Sequence, residues 1–503
     1  MVVPPENPSG NKLSRKSQRK AVQRALGKQK RRKKPSAKKP SAKQPNPQPK
    51  AARRGGMPVN APPGIEALEQ VNLNAAGIDV GATVHFVAVP EGRDSETSVR
   101  WFGAFTADLE GLADWLEECG IDTVAMESTG VYWIPLYELL ERRGFTCLLV
   151  NPADLKKFRR KTDVVDCQWL QTLHTFGLLQ GSFRPEEKIL ELRSYMRQRD
   201  TLTKSAGDYV RRMQKALEQM NLKLTHVIAD ITGVTGLRII DAIVQGERDP
   251  QKLAELRDER CKNDEATIAL ALQGNWRDEH LFALEQSLAM WRFHQQKLGE
   301  VDARLERYLE TFEDKSQGRE LPKQQKKGPN GPRFDTVNVM YRLTGVELTS
   351  VDGIGGHAAL QLVSEIGLDM SAWATEKHFV SWLCLCPELH LSGGQKKSKH
   401  SKTHASKNRA AATLRMCAQS LLRADCALGA FGRRLRAKKG APQAVTAVAR
   451  KLAIIVYNML KHGREYVDRG AAYYEAQYRQ RVIKSLRRRA SELGFDLMAT
   501  ATA

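Results

Sequence analysis

The sequence predicts an α/β domain followed by long paired helices and a further, mainly helical domain. Three observations carry this reading. Short β-rich segments alternate with helical ones up to about residue 182, heptad spacing takes over from about residue 185, and acids close the apolar runs of the first part. At 503 residues the chain is too long for one ordinary core, so two or three domains are expected.

Residues 75–80 (Ala-Ala-Gly-Ile-Asp-Val) form a short buried strand in this reading, and Gly81 permits a tight turn after it. Residues 84–89 make a hairpin partner, and Trp101 to Phe105 a third strand. A helix over 109–118 buries Leu109, Leu112, Trp115 and Leu116 on or near one face. Then come a strand (123–127), a helix (132–143) and a strand (146–150), a βαβ unit that implies a parallel pair in a mixed sheet. A basic stretch, Lys156 to Lys161, leads to a helix from Asp163 to Phe176, closed by Gly177. Asp79 and Glu127 sit at strand ends, where ligands of open α/β sheets gather. Asp163 and Asp166, three apart, share a helix face. Three strands followed by βαβ, with acids in this order, match an RNase H-like (RuvC-like) fold.

Four carboxylates gathered from two strand ends and one helix make an oxygen-rich cage suited to Mg2+. Two such ions about 4 Å apart clamp the attacking and leaving oxygens of a phosphodiester. Asp79 and Glu127 also interrupt apolar strands, where an uncompensated carboxylate is costly and a metal relieves the cost.

Beyond residue 185, Ala206, Val210, Met213, Leu217, Met220 and Leu224 step by fours and threes. Leu281, Leu284, Leu288, Trp291, Leu298, Leu305, Leu309 and Phe312 repeat the frame, interrupted by Gln295 and Asp302. Such seams need a partner helix, in the same chain or across a dimer, and polar interruptions fix partner and register, which slightly favours pairing between chains. The residues between the seams read as a compact helical insert, and 315–335, rich in Lys, Gln, Gly and Pro, as a flexible linker. Gly353-Ile354-Gly355 before an apolar helix resembles a helix-hairpin-helix turn, in which glycines let backbone amides meet a phosphate. Further on, Ser392-Gly393-Gly394 stands beside Lys396, Lys397, Lys399, Lys402 and Lys407. The glycines leave backbone space for a phosphate, and the cations favour a serine alkoxide.

The expected domains are a basic tail (1–65), the RuvC-like domain (66–182), a coiled-coil and helical region (183–314) and a linker (315–338). A serine-bearing domain (339–437) and basic C-terminal helices (438–503) follow. The formal charge of +23 points to a polyanionic partner. Residues 1–60 alone hold 18 Lys/Arg against one acid, so the tail reads as a nonspecific nucleic-acid arm. No apolar run approaches a membrane span of about 20 residues. The eight cysteines are scattered, which fits reduced thiols in a cytosolic compartment; the expected location is the cytoplasm, associated with the nucleoid. Cys384, Cys386, His390, His400 and His404 lack zinc-finger spacing. Most tryptophans fall among apolar residues and read as core.

Taken as a set, Gly77-Ile78-Asp79-Val80, Met126-Glu127-Ser128-Thr129-Gly130, Asn151-Pro152, Lys161-Thr162-Asp163-Val164-Val165-Asp166, the Gly-Ile-Gly turn and Ser392-Gly393-Gly394 resemble the insertion-sequence 110 family of transposases. The resemblance covers about residues 70–435. It implies a DEDD recombinase with a separate serine-bearing transposase domain. Asp79, Glu127, Asp163 and Asp166 would be the metal tetrad, and Ser392 the nucleophile that forms a covalent phosphoserine with DNA. It also implies a structured noncoding bridge RNA that pairs with donor and target DNA. A homodimer or homotetramer is expected because the serine lies far along the chain from the acids, coiled-coil pairing can bring in another protomer, and exchange between two duplexes suits four copies. Family members often carry a second serine before Ser-Gly-Gly, where this chain has Leu391. Ser398, Ser401 and Ser406 lie close enough to be alternatives. Nucleic-acid contacts are expected at Lys156, Lys157, Arg159, Arg160, Lys161, Gly353, Gly355, Gly393, Gly394, Lys396, Lys397, Lys407 and Arg409. The alternative is a RuvC-like junction nuclease that uses water and needs the tetrad but no serine.

Overall fold

The computed structural model describes residues 68–152, 163–323, 328, 330–387, 391–392, 395–396, 403 and 408–498, with the backbone alone at Asp163, Leu391, Ser392, Gln395 and Lys396. It divides into two compact units, residues 1–182 and 183–503.

The first unit is built on a five-stranded sheet of order β3-β2-β1-β4-β5. Its strands are β1 (Ala75–Val80), β2 (Val84–Ala88), β3 (Val99–Gly103), β4 (Thr123–Glu127) and β5 (Thr146–Val150). The first three pair antiparallel, while β4 runs parallel to both β1 and β5. The helices are α1 (Thr106–Glu118), α2 (Trp133–Arg142) and α3 (Asp163–Thr175). Side chains alternate across a strand. Ala76, Ile78 and Val80 of β1, with Val124 and Met126 of β4, therefore fill one core with Leu112, Leu116, Leu136 and Leu140 of α1 and α2. The other face of β4 sends Ala125 against Trp169, Leu170 and Leu173 of α3.

In the second unit, α4 (Glu187–Gln219) and α9 (Asp278–Leu309) are long helices that pack along each other within one chain. This corrects the expectation of pairing between chains for these seams. The polar interruption Asp302 has its partner on α4. Arg199 Nε donates to Asp302 Oδ1 at 2.6 Å, and both side chains are almost fully buried. Between them, α5 (Leu224–Val227), α6 (Val234–Val244), α7 (Pro250–Glu255) and α8 (Glu265–Ala271) form the compact insert around Ile239, Ile240, Ile243 and Leu253.

Residues 315–335 are not a free linker where they are described. Ser316 and Phe334 are buried. The Asn330 carbonyl accepts from Arg199, and the Arg333 amide donates to Asp302 at 3.0 Å. Buried charge requires such partners, and the segment supplies them. The remaining helices are α10 (Thr336–Thr344), α11 (Gly356–Ile366), α12 (Glu376–Trp382), α13 (Arg409–Leu421), α14 (Ala427–Lys439), α15 (Ala441–His462) and α16 (Gly470–Glu492). Strands β6 (Leu391–Ser392) and β7 (Gln395–Lys396) form a small hairpin. One hydrophobic core unites Ile189, Leu192 and Met196 of α4, Leu305 and Leu309 of α9, and residues from Met340 to Met459. The boundaries expected at 314–338 and at 437–438 thus do not separate cores: apolar faces on either side of each are buried together. Among the described residues, no helix is long and apolar enough to cross a membrane.

Candidate active site

Asp79 and Glu127 are set by strand register. The last paired residues of β1 and β4 are Ile78 and Met126, so Asp79 and Glu127 follow side by side. Neighbouring strands lie about 4.8 Å apart. Ala125, two residues before Glu127, faces α3, and Glu127 shares that face by the strand period. Asp79 lies two residues after Gly77, which also faces α3. A Cβ on Gly77 would lie 2.8 Å from Gln171 Cα and closer still to Gln171 N and Cys167 O. Glycine here is the condition for helix and strand to meet backbone to backbone. Glu127 is buried, Asp79 and Asp166 half-buried. Thr129 Oγ1 donates to Glu127 Oε1 at 3.3 Å.

Helix α3 begins at Asp163 and carries Asp166 one turn on. The buried Cys167 thiol between these elements is pushed well above its ordinary value, first by burial and then by the charges of Asp79 and Asp166. One sulfur therefore senses an acid from the strand and an acid from the helix. The side chain of Asp163 lies outside the described residues, and among those described no three His, Cys, Asp or Glu side chains form a ready-made metal cluster. Asp79 and Glu127 stand at the carboxyl edge of the parallel strands, and carboxylate oxygens are the ligands that hard divalent cations take. The sequence motifs contain Gly77 and Thr129 without giving either a role, and Cys167 lies outside them. The signal for Gly77 was a glycine inside an apolar strand, which marks close backbone approach.

In the second unit, Ser392 ends β6 and pairs with Gln395 across the two residues Gly393 and Gly394. Gly353 adopts a left-handed backbone (φ 82°) against Leu421 and Cys417, and Gly355 caps α11 from an exposed position. Arg409 pairs with Asp200 at 3.3 Å. Of Lys396 only the backbone is described. Lys156, Lys157, Arg159, Arg160, Lys161, Gly393, Gly394, Lys397, Lys407 and the alternative serines lie outside the described residues, as do His390, His400 and His404 of the zinc constellation. Cys384 and Cys386 are free thiols. Trp115 and Trp169 are core residues, whereas Trp101 is exposed.

Two transposase family models match the chain. The DEDD transposase model of IS110 elements matches residues 76–222. The transposase model of the IS116/IS110/IS902 family matches residues 346–432. The first spans the mixed sheet with Asp79, Glu127, Asp163 and Asp166, the second the Gly-Ile-Gly turn and Ser392. The chain is therefore an enzyme of DNA recombination, a DNA transposase. Both matches support an IS110-family transposase, the transposase of insertion sequences of that family. Transposase domains of the DEDD kind generally use divalent metal ions. No curated protein matches the chain.

Proposed function

We propose that this transposase cuts a DNA strand and rejoins it to another, with Asp79, Glu127, Asp163 and Asp166 holding two Mg2+ ions and Ser392 acting as nucleophile. The metal reading rests on one observation: the adjacent register of Asp79 and Glu127, facing the helix that bears Asp166 across Gly77. When bound, Mg2+ supplies positive charge against the non-bridging oxygens of the scissile phosphate. The four carboxylates fix where that phosphate sits.

Ser392 Oγ, from the second unit of the same chain or another copy, loses its proton and attacks phosphorus. The leaving strand oxygen departs with a proton, and a phosphoserine ester takes the place of the broken phosphodiester. A hydroxyl of the receiving strand then attacks this ester, which forms the new phosphodiester and returns the serine hydroxyl. One P–O bond is exchanged for another in each step, so no nucleotide is consumed. Guidance by a structured noncoding RNA is part of the same reading, supported by the family matches and by the net charge of +23, which suits a nucleic-acid partner. Assembly as a dimer or tetramer is part of it too, since exchange between two duplexes needs more than one set of acids and serine.

Incubation with end-labelled DNA in Mg2+ tests the mechanism. A denaturation-resistant protein–DNA adduct is expected in the wild type and in Ser398→Ala, and none in Ser392→Ala. Cleavage without adduct in the wild type refutes the serine step. Sequencing RNA that copurifies with the protein tests guidance, where one discrete species is expected and a random mixture refutes it.

A further inference from the structure

Immediately after Glu127 the chain makes a short loop, Ser128 to Tyr132, before α2 begins. Its first half is tied down. The Ser128 amide donates to the Val150 carbonyl at 2.9 Å, and Thr129 bonds Glu127 through both its amide and its hydroxyl. Its second half displays apolar surface, with Val131 67% and Tyr132 47% exposed. The next residue, Trp133, turns inward instead and packs edge-on against Tyr137, their ring centroids 5.7 Å apart. The Tyr132 ring lies back over Gly130, where a Cβ would sit 3.3 Å from Cε2 and 3.4 Å from Cδ2. Gly130 also has a left-handed backbone (φ 57°), which a side chain would strain. Glycine thus lets one edge of the ring rest on bare backbone while much of it stays open, a few residues from a buried carboxylate.

We propose that Tyr132, with Val131 beside it, is a stacking platform for an unpaired base of the DNA strand being cut, next to the scissile phosphate. This rests on the proposed metal site at Glu127. A strand that moves from one partner to another must give up its pairing near the break, and an unpaired base needs an apolar face. Aromatic side chains serve any base, because every base has a π-face. The size of the patch also selects the occupant. Two side chains match one base, whereas a stable protein interface buries about 1,200–2,000 Å2. No core contact explains the exposure, since the apolar face of α2 is filled by Leu136, Tyr137, Leu139 and Leu140.

Photocrosslinking of the full chain to a mixed-sequence single-stranded oligonucleotide carrying 5-iodouracil tests the platform. Ca2+ replaces Mg2+ to hold back cleavage, and raised salt suppresses tail binding. The expected crosslink maps to Tyr132 by peptide mass spectrometry. Tyr132→Ala is expected to lose this crosslink and to bind the oligonucleotide about 5- to 150-fold more weakly, with Tyr132→Phe within about twofold of wild type. Both variants should keep the wild-type unfolding temperature, because the side chain is exposed. Crosslinks only at other residues, or equal binding by Tyr132→Ala, overturn the proposal. A lower mass for Tyr132→Ala in light scattering overturns it too, by making the patch a contact between copies. Asp79→Asn separates the two readings. It should retain the Tyr132 crosslink while losing strand transfer, and retained strand transfer would sink the metal reading without touching the crosslink.

Discussion

Replacing Gly77 by alanine is the sharpest test of how this fold would build the proposed acid site. The new methyl carbon would lie 2.8 Å from Gln171 Cα and nearer still to two backbone atoms of α3. Carbon atoms settle about 3.5–4.0 Å apart, so α3 must retreat from β1 by about 1 Å. The obstruction is backbone, so no side chain can swing aside to relieve it. Overpacking of this kind costs about 1–3 kcal/mol. A displacement near 1 Å in a catalytic arrangement can cost on the order of 100-fold in rate. Asp166 rides on the helix that moves, and Asp79 stays on the strand. Gly77→Ala should therefore fold with a modestly lower unfolding temperature and lose about 100-fold in strand transfer, while nonspecific DNA binding is unchanged. The assay pairs thermal unfolding with single-turnover strand transfer across a Mg2+ titration. Wild-type transfer at wild-type Mg2+ concentration would refute the claim that the helix–strand approach at Gly77 brings the acids together.

Two further predictions concern stability. Arg199→Met leaves Asp302 buried without its guanidinium and also frees the Asn330 carbonyl. It should cost about 3–5 kcal/mol in urea unfolding of the second unit, and a loss below about 1 kcal/mol would show that the pair is solvated. In the first unit, burial holds His85 and His174 below the ordinary histidine value of 6.5. Their unfolded forms bind protons more readily, so the stability of that unit is complete above pH 6.5 and falls as pH drops below it. Denaturant midpoints that are equal at pH 7.5 and 5.5, or a fall that persists undiminished in His85→Gln/His174→Gln, would contradict this.

The order of elements in the first unit was legible because each strand and helix carries its own period. The short apolar runs at 75–80, 84–88, 123–127 and 146–150, and the helical spacing at 109–118 and 132–143, needed no knowledge of neighbours. The acids were legible for the same reason: a carboxylate that closes an apolar run stands out locally. Less was readable where a residue's meaning depends on something far along the chain. A heptad seam demands a partner but does not name it, and Asp302 reads as an interruption until Arg199, 103 residues away, is set against it. Residues 315–335 look like a linker by composition, yet Asn330 and Arg333 are fixed by that same buried pair.

By itself, then, the sequence determined the β-rich opening, the long helices, the four acids in order and the serine beside two glycines. These are local choices of residue type against backbone geometry. Only the tertiary structure decided that the two seams serve each other in one chain, that α10 to α15 share a single core with the start of α4 and the end of α9, and that Gly77 sets how closely a helix approaches the strand of Asp79. Such decisions come from burial and close contact between distant segments. No window of sequence holds both partners.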